Sequence, residues 1–470
     1  MGHSEIACQI CGVSFALARI RTPQEPPTAA WSNHGTTDGG YVWSWAPEED
    51  DFDDEKSDGN VAGGCMIAVR ADRDHEDGDL LALSQHPEEE MYLEDMHGIP
   101  KHDRAKILKR LRDLEGKYCL EHVAGPECGN GDGYHGNRIS VEEMRTCSTM
   151  QGLVKKPSDW EPEDGDEDFE RSEGYFLSGL VDSVTTVDSL YYESSHPKRH
   201  GCDNILPTMW YRDIVNDTFH MDFYSIAIHP ACLETFKRAT LHRYDRVDVG
   251  AFIQWWEMDS DGKSLSRIED DADVRAGRSQ WWQHIQGSEY LAANPCFVPN
   301  LDKAFLPLAP QSASPAGHEE IFSSLPSEIR GLIFNHLSLE DISNLLLASP
   351  LLNRCSQDDL RRRLILEWPW LWEAWSKLEY SAWVGPTARD LRESVKPPGK
   401  QVVISDTDAV NWGSAFRWIS RQRSNDELKG LRNRQRIWKR SGEILDRIDQ
   451  LRKYEELAKD ASVLSISQGR

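Results

Sequence analysis

The residues best suited to chemistry are two close pairs of soft ligands. Cys8-x-x-Cys11-Gly12 puts two thiols in one turn, and His229-Pro230-Ala231-Cys232 puts an imidazole and a thiol in another. Thiolates and imidazoles offered as close pairs are the donors that tetrahedral zinc takes, and these two half-sites together make a Cys3His set. Cys119-x-x-His122 and His200-x-Cys202 are competing pairs. The plain alternative for Cys8 and Cys11 is two thiols that share a tight turn. Spacing alone leaves the pairing open, because nearly half the chain separates the two leading half-sites.

The other candidate chemistry is weaker. Glu257-x-Asp259-x-Asp261-Gly262 has the acid spacing of a calcium loop, but Ile268 stands where the closing bidentate Glu belongs and Glu269 comes one place late. The sequence holds neither a phosphate-cradling glycine loop nor a nucleophile elbow. Ten Cys and sixteen His make chance Cys–His pairings numerous, so none is singled out as a nucleophile. The reading is of a protein that is not an enzyme. A metal-dependent enzyme in the Cys- and His-containing N-terminal region is the alternative of a different class.

The elements that organise the chain lie further on, from Phe322 to about Leu366. Leu325-Pro326 opens a helix, with Pro326 expected at its first position, where a missing N–H costs nothing. Glu328 sits in the first turn, where the helix dipole favours negative charge. Ile329, Leu332, Ile333 and Leu337 follow at helical spacing as one apolar stripe. Ser338 and Asp341 form a capping pattern that starts a second helix through Ile342, Leu345 and Leu346. Ser349-Pro350 restarts the chain as a third short helix through Leu352. So few residues cannot bury this much leucine among themselves, so part of the apolar surface must find a partner.

These residues resemble the F-box, in the order Leu-Pro-x-Glu-Ile, Ile-Phe-x-x-Leu, Leu-x-x-Asp-Ile-x-x-Leu, Ala-Ser and Leu352. The departure is that Cys355 and the residues to Leu360 stand where many F-boxes carry a Trp. The resemblance implies an adaptor-binding face made by Leu325, Pro326, Ile329, Ile333, Leu337, Asp341, Leu345 and Leu352. It implies docking on the Skp adaptor of an SCF-type ubiquitin ligase and, through it, a cullin–RING ligase. The chain would then act as a substrate receptor, raising a client's local concentration at the site of ubiquitin transfer. A protein-interaction scaffold that feeds no ligase is the alternative. Further stretches resemble a family of fungal F-box proteins: 8–20 (CQICGVSFALARI), 29–31 (AAW), 122–128 (HVAGPEC), 139–144 (ISVEEM), 175–180 (YFLSGL), 199–201 (RHG), 229–232 (HPAC) and 291–295 (LAANP).

The expected fold class is multidomain α+β. A mixed α/β domain, zinc-stabilised if the half-sites join, spans 1–305. A Pro-, Ala- and Ser-rich linker spans 306–320, the all-α F-box 321–366, and a Trp-rich, helical C-terminal region 367–470. Within the first domain a strand is expected at 65–69, a helix at 102–115, turns between Tyr118 and Trp160, and a mixture of strand and helix from 174 to 192. A helix is expected after His229, and 249–256 reads as a further amphipathic segment. An acidic linker is expected at 161–170. Four tryptophans between Trp368 and Trp375 read as core. A strong helix is expected from 425 to about 459, with Leu428, Leu431, Trp438, Leu445, Ile448 and Leu451 along one side.

The net charge of −26 argues against nucleic acid as partner, since phosphate would be repelled. The acid is concentrated ahead of the F-box, at 48–58, 72–79, 88–95 and 161–170. Residues 360–470 instead count 22 Lys and Arg against 15 Asp and Glu, about +7. Acid runs read as solvated loops, or as a surface for a basic client. No apolar run approaches the roughly 20 residues of a membrane helix, and the first residues lack a signal-peptide core. Cysteines scattered in a chain of this kind read as reduced thiols or metal ligands, which places the protein in the cytoplasm or nucleus.

Overall fold

The computed structural model describes residues 5–31, 66–71, 91–94, 118–182, 195–201, 206–208, 224–260, 270–278, 281–307, 324–349, 357–397, 399–424 and 427–467. The helix expected at 102–115, the acid runs at 48–58 and 72–79, most of the linker, Cys202 and Leu352 lie outside them. The class is mixed α+β, as expected.

The strands are β1 (Arg19–Ile20), β2 (Met66–Ala71), β3 (Met91–Glu94), β4 (Tyr118–Val123), β5 (Tyr134–His135), β6 (Thr149–Lys155), β7 (Tyr175–Asp182), β8 (Leu206–Thr208) and β9 (Tyr224–Ile228). Helices α1 (Val141–Met144) and α2 (Asp168–Ser172) interrupt them. Beyond β9 come α3 (Pro230–Tyr244), α4 (Gly250–Ser260), α5 (Ala272–Gly277), α6 (Ser327–His336), α7 (Leu339–Ala348), α8 (Gln357–Glu367), α9 (Ala388–Arg392), α10 (Trp412–Ser424) and α11 (Lys429–Ser467). Among the described residues no helix is long and apolar enough to cross a membrane.

Contacts divide the chain into two units that interleave instead of following one another across a single linker. One comprises Met1–His229, Glu269–Ala293 and Pro386–Lys396; the other comprises Pro230–Ile268, Asn294–Gly385 and Pro397–Arg470.

The first unit is built on a four-stranded sheet in the order β7-β6-β9-β8. The β6 strand runs antiparallel to β7 and β9, and β8 runs parallel to β9. Every residue of β7 is buried, and so is β6 up to Lys155. A strand covered on both faces shows no polar alternation, which is why its sequence is continuously apolar or small. Gly179 is required there, because a Cβ would lie 2.0 Å from the Pro197 carbonyl oxygen. Two expectations are corrected here. The Gly- and Asn-punctuated region from Tyr118 to Trp160 holds β4, β5 and the central strand β6 besides its turns. The acid run at 161–170 is no solvated linker: Asp166 and Glu170 are buried and both pair with the buried Arg199, the Glu170 contact at 2.9 Å. Ser140 and Glu143 form a full capping box ahead of α1. Asp182, at the end of β7, accepts hydrogen bonds from the backbone N–H groups of Ala388 and Arg389 and so anchors the first turn of α9.

The second unit is helical. Its long helix α11 packs along α3 and α4. The inner face of the α6–α7 pair, Phe334, Leu339 and Ile342, joins Leu360, Leu364, Trp412 and Phe416 in one core cluster. Trp370 and Leu371 close a neighbouring cluster with Ile419, Leu428 and Leu431, and Trp372 is buried against Ala231, Cys296 and Val384. The tryptophan run is therefore core, with Trp368 and Trp375 at its edge. The α4 helix continues through Asp259 to Ser260, so the described half of the calcium-like spacing is helix and not loop.

Candidate metal centre

Residues 6–15 fold back on themselves as a tight turn. Cys8 N–H donates to the Val13 carbonyl at 2.9 Å, Gly12 N–H to the Cys8 carbonyl at 2.8 Å, and Phe15 N–H to the Ile6 carbonyl at 3.2 Å. Gly12 takes φ +77°, a left-handed conformation that favours glycine, and a Cβ there would also lie 2.7 Å from Asp270 Oδ1. The turn therefore brings the Cys8 and Cys11 side chains to one side without strain. Gln9 N–H donates to the Ala227 carbonyl at 2.9 Å, which fastens the turn to β9. His229 is the residue after β9, and Cys232 follows in the first turn of α3.

The sheet topology thus supplies what spacing could not. Cys8, Cys11, His229 and Cys232 are all buried, and their ligand atoms all lie within 4.8 Å of one another. Cys11 Sγ is 3.6 Å from His229 Nδ1. Two ligands of one tetrahedral zinc, at ~2.3 Å for sulfur and ~2.05 Å for nitrogen, are separated by about 3.6 Å, so the observed distance fits a shared ion. The far ring nitrogen, Nε2, donates to the Cys147 carbonyl at 2.8 Å. That bond sets the ring so that Nδ1 faces the Cys11 sulfur, an orientation that metal-bound imidazoles commonly receive from a neighbouring acceptor. The His229 backbone N–H donates to Cys8 Sγ at 3.3 Å, and the Phe15 ring packs on the imidazole at 4.3 Å.

Electrostatics agree with the geometry. Burial by itself pushes the His229 pKa down. The negative sulfurs of Cys8 and Cys11 overcome it and raise the pKa to about 10. Without an ion, the sulfurs draw a proton to the nitrogen that faces them. The set therefore favours positive charge at its centre. Four protein ligands leave no open position, which suits a structural ion and not one that activates water.

Of the competing pairs, Cys202 lies outside the described residues, and the two histidines have other neighbours. His122 Nε2 lies 3.3 Å from Cys128 Sγ, and His200 Nε2 lies 3.0 Å from Asp166 Oδ1. Among the described residues the Cys8, Cys11, His229 and Cys232 group is the cluster with metal-holding geometry. The Cys147 carbonyl and the Phe15 ring escaped sequence reasoning, because a backbone oxygen has no sequence signature and an apolar ring reads as ordinary core.

Of the residues expected at the adaptor face, Ile329 and Ile333 lie on α6 and Asp341 and Leu345 on α7; Leu325 and Pro326 precede α6, Leu337 lies between the two helices, and Leu352 is outside the described residues. Helix α6 begins at Ser327, so Pro326 is its cap and not its first residue; the Pro326 carbonyl accepts from the N–H groups of Ile329 and Arg330 at 3.1 Å. Pro326 and Asp341 are exposed, and Leu325, Ile333, Leu337 and Leu345 are half-buried. Ser338 caps α7, accepting from the Asp341 N–H at 3.1 Å. Ile329 is 42% exposed, and so are two leucines that the sequence reading did not assign to the face, Leu332 at 56% and Leu347 at 59%. Leu332 could have been found from its place in the Ile329 stripe. No protein-family model, curated protein or solved structure matches the chain.

Proposed function

We propose that this chain is an F-box substrate receptor that links a client protein to the Skp adaptor of an SCF-type ubiquitin ligase. The observation behind the reading is the two-sidedness of the α6–α7 pair. Phe334, Leu339 and Ile342 are spent on the chain's own core, whereas Ile329, Leu332 and Leu347 remain exposed. Exposed leucine and isoleucine on a short helical pair, bordered by the polar Glu328, Glu340 and Asp341, have the composition of an interface with an apolar centre and a polar rim. The resemblance of these residues to the F-box names the partner.

The test is co-purification of the Skp adaptor with the wild-type chain and with an Ile329→Asp/Leu332→Asp variant. Both positions are exposed, so the fold tolerates the change. Adaptor is expected with the wild type and lost from the variant; equal recovery from both would refute the assignment.

In the same reading, Cys8, Cys11, His229 and Cys232 hold a structural zinc ion. The ion would tie the N-terminal turn to the end of β9, and this chain's residues would hold it without carrying out any bond-making.

A further inference from the structure

The tryptophan run of the helical unit meets α3 and α11 in two successive layers. In the inner layer the buried Trp372 ring carries Arg434 of α11 at 3.7 Å and Arg238 of α3 at 5.0 Å. The outer layer lies three residues on in the run and one helical turn on in each helix. It sets Trp375 against Trp438 of α11 and His242 of α3. The register is the same, but the partners change: two cations beside an indole give way to two further rings. Among the described residues no lysine or arginine lies over Trp375 or Trp438.

The three outer rings stand as a corner. His242 lies 5.2 Å from Trp375 and 5.8 Å from Trp438, and the two indoles lie 6.3 Å apart, at interplanar angles of 59°, 73° and 75°. Three perpendicular rings that each face one point from about 4 Å have centroids about 5.7 Å apart, and a cation at that point lies within the roughly 6 Å reach of cation–π attraction to all three. The indoles are fixed from behind. Trp375 Nε1 donates to the Pro369 carbonyl at 2.8 Å, and both rings pack on the cluster of Ala231, Cys296 and Val384. His242 is exposed and both indoles are half-buried, so the corner meets solvent. Burial lowers the His242 pKa and outweighs the nearby Asp245 charge, which leaves the imidazole neutral at neutral pH. The Asp245 carboxylate is exposed, and among the described residues no cation pairs with it.

We propose that His242, Trp375 and Trp438, with Asp245 beside His242, form an aromatic cage for a methylated ammonium group carried by a lysine side chain of a partner protein. The inner layer shows the chemistry that the outer layer completes with a foreign cation. Methylation removes the protons that an ammonium offers to water, so the group is held by ring faces and one nearby carboxylate instead of by hydrogen bonds. An unmodified ammonium is a compact, strongly hydrated charge and gains less there. A small free ligand is held by burying most of its surface, which an open corner does not do; a side chain needs only its tip held. The cage is independent of the adaptor reading.

The test uses the purified full chain and a short fluorescein-labelled peptide with one trimethyl-lysine, followed by fluorescence anisotropy. The comparison probes are the same peptide with unmodified lysine, the same peptide with the uncharged tert-butyl isostere of trimethyl-lysine, and choline as a competitor. The trimethyl-lysine peptide is expected to bind about tenfold or more tighter than either comparison peptide. His242→Leu, an exposed change that keeps an apolar side chain, and Trp438→Leu, which removes an indole face, are each expected to cost about fivefold or more in affinity. Asp245→Asn, which suits the left-handed φ of +55° at that position, should cost less. Absence of saturable binding, equal binding of the trimethyl-lysine peptide and its uncharged isostere, unchanged affinity in His242→Leu, or choline bound as tightly as the peptide overturns the proposal. Adaptor co-purification should be the same in all these variants, which separates failure here from failure of the adaptor assignment.

Discussion

Arg434 and Glu373 form an ion pair with both side chains removed from water, at 0% and 1% exposure. Nη1 of Arg434 donates to both Glu373 oxygens, at 3.0 and 2.9 Å, and Nε donates to the Pro295 carbonyl at 2.6 Å. The guanidinium also lies 3.7 Å over the Trp372 ring, and Arg238 approaches the same ring at 5.0 Å. The pair thus joins α11 to the tryptophan run in the core of the helical unit.

Removing one partner of such a pair strands a charge in the core. Glu373→Gln is expected to destabilise the chain by about 3–5 kcal/mol, whereas the joint replacement Glu373→Leu/Arg434→Met should cost much less than the sum of its two single changes. Urea unfolding of the three variants against wild type measures this. A Glu373→Gln cost below about 1 kcal/mol would mean that the pair is solvated and does not belong to the core.

Glu5 gives the molecule a pH dependence of definite sign. Burial raises its carboxyl pKa from 4.5 to about 7, against the opposing Trp282 N–H hydrogen bond at 3.0 Å, the Ser14 hydroxyl and the Arg278 charge. The folded chain therefore binds the proton more tightly than the unfolded chain does. The stabilisation is complete below pH 4.5 and is lost as pH rises through about 7. Glu5→Gln, which mimics the protonated carboxyl, should match wild type near pH 4.5 and exceed it near pH 8 by about 2 kcal/mol, after allowance for partial exposure. Unfolding midpoints taken across that range check the sign. A gap that widens on acidification instead would show that Glu5 is held as a carboxylate.

These two relationships differ in how far they could be read from the residues alone. The helical core was legible, because Leu431, Leu445 and Ile448 mark one face of α11 by spacing, and Trp370 and Trp372 are too apolar to expose. The apolar run of β7 was legible as buried chain, but strand and helix could not be told apart there, because a short apolar run has no distinguishing period. Buried charge was not legible. Asp166 and Glu170 sit in a run of acid that reads as solvent-exposed, and Arg199, some 30 residues on, pairs with both. Arg434 in turn looks like one more surface cation of a basic helix. Burial of a charge depends on a partner that folding delivers, and no local pattern encodes that partner. The metal half-sites fall between these cases. Each pair was visible by its ligand chemistry, but their meeting depends on β9 lying beside the N-terminal turn, a matter of sheet topology.

Zinc removal is the sharpest test of that meeting. A structural ion that ties residues 8–11 to residues 229–232 stabilises the folded chain alone, so its binding energy is folding energy. Elemental analysis of the wild-type chain should find zinc bound, and a chelator should lower its urea midpoint by an amount equivalent to several kcal/mol. Cys11→Ser removes the sulfur that lies 3.6 Å from His229 Nδ1. That variant should purify without zinc, start from the lowered midpoint and ignore the chelator. Cobalt offered in place of zinc should give the intense thiolate-to-metal absorption of a tetrahedral sulfur-rich site in wild type and lose it in the variant. If the wild-type midpoint ignores the chelator and no zinc is found, the four residues are a reduced thiol and imidazole cluster. The proton that the sulfurs draw to His229 would then supply counter-charge to them.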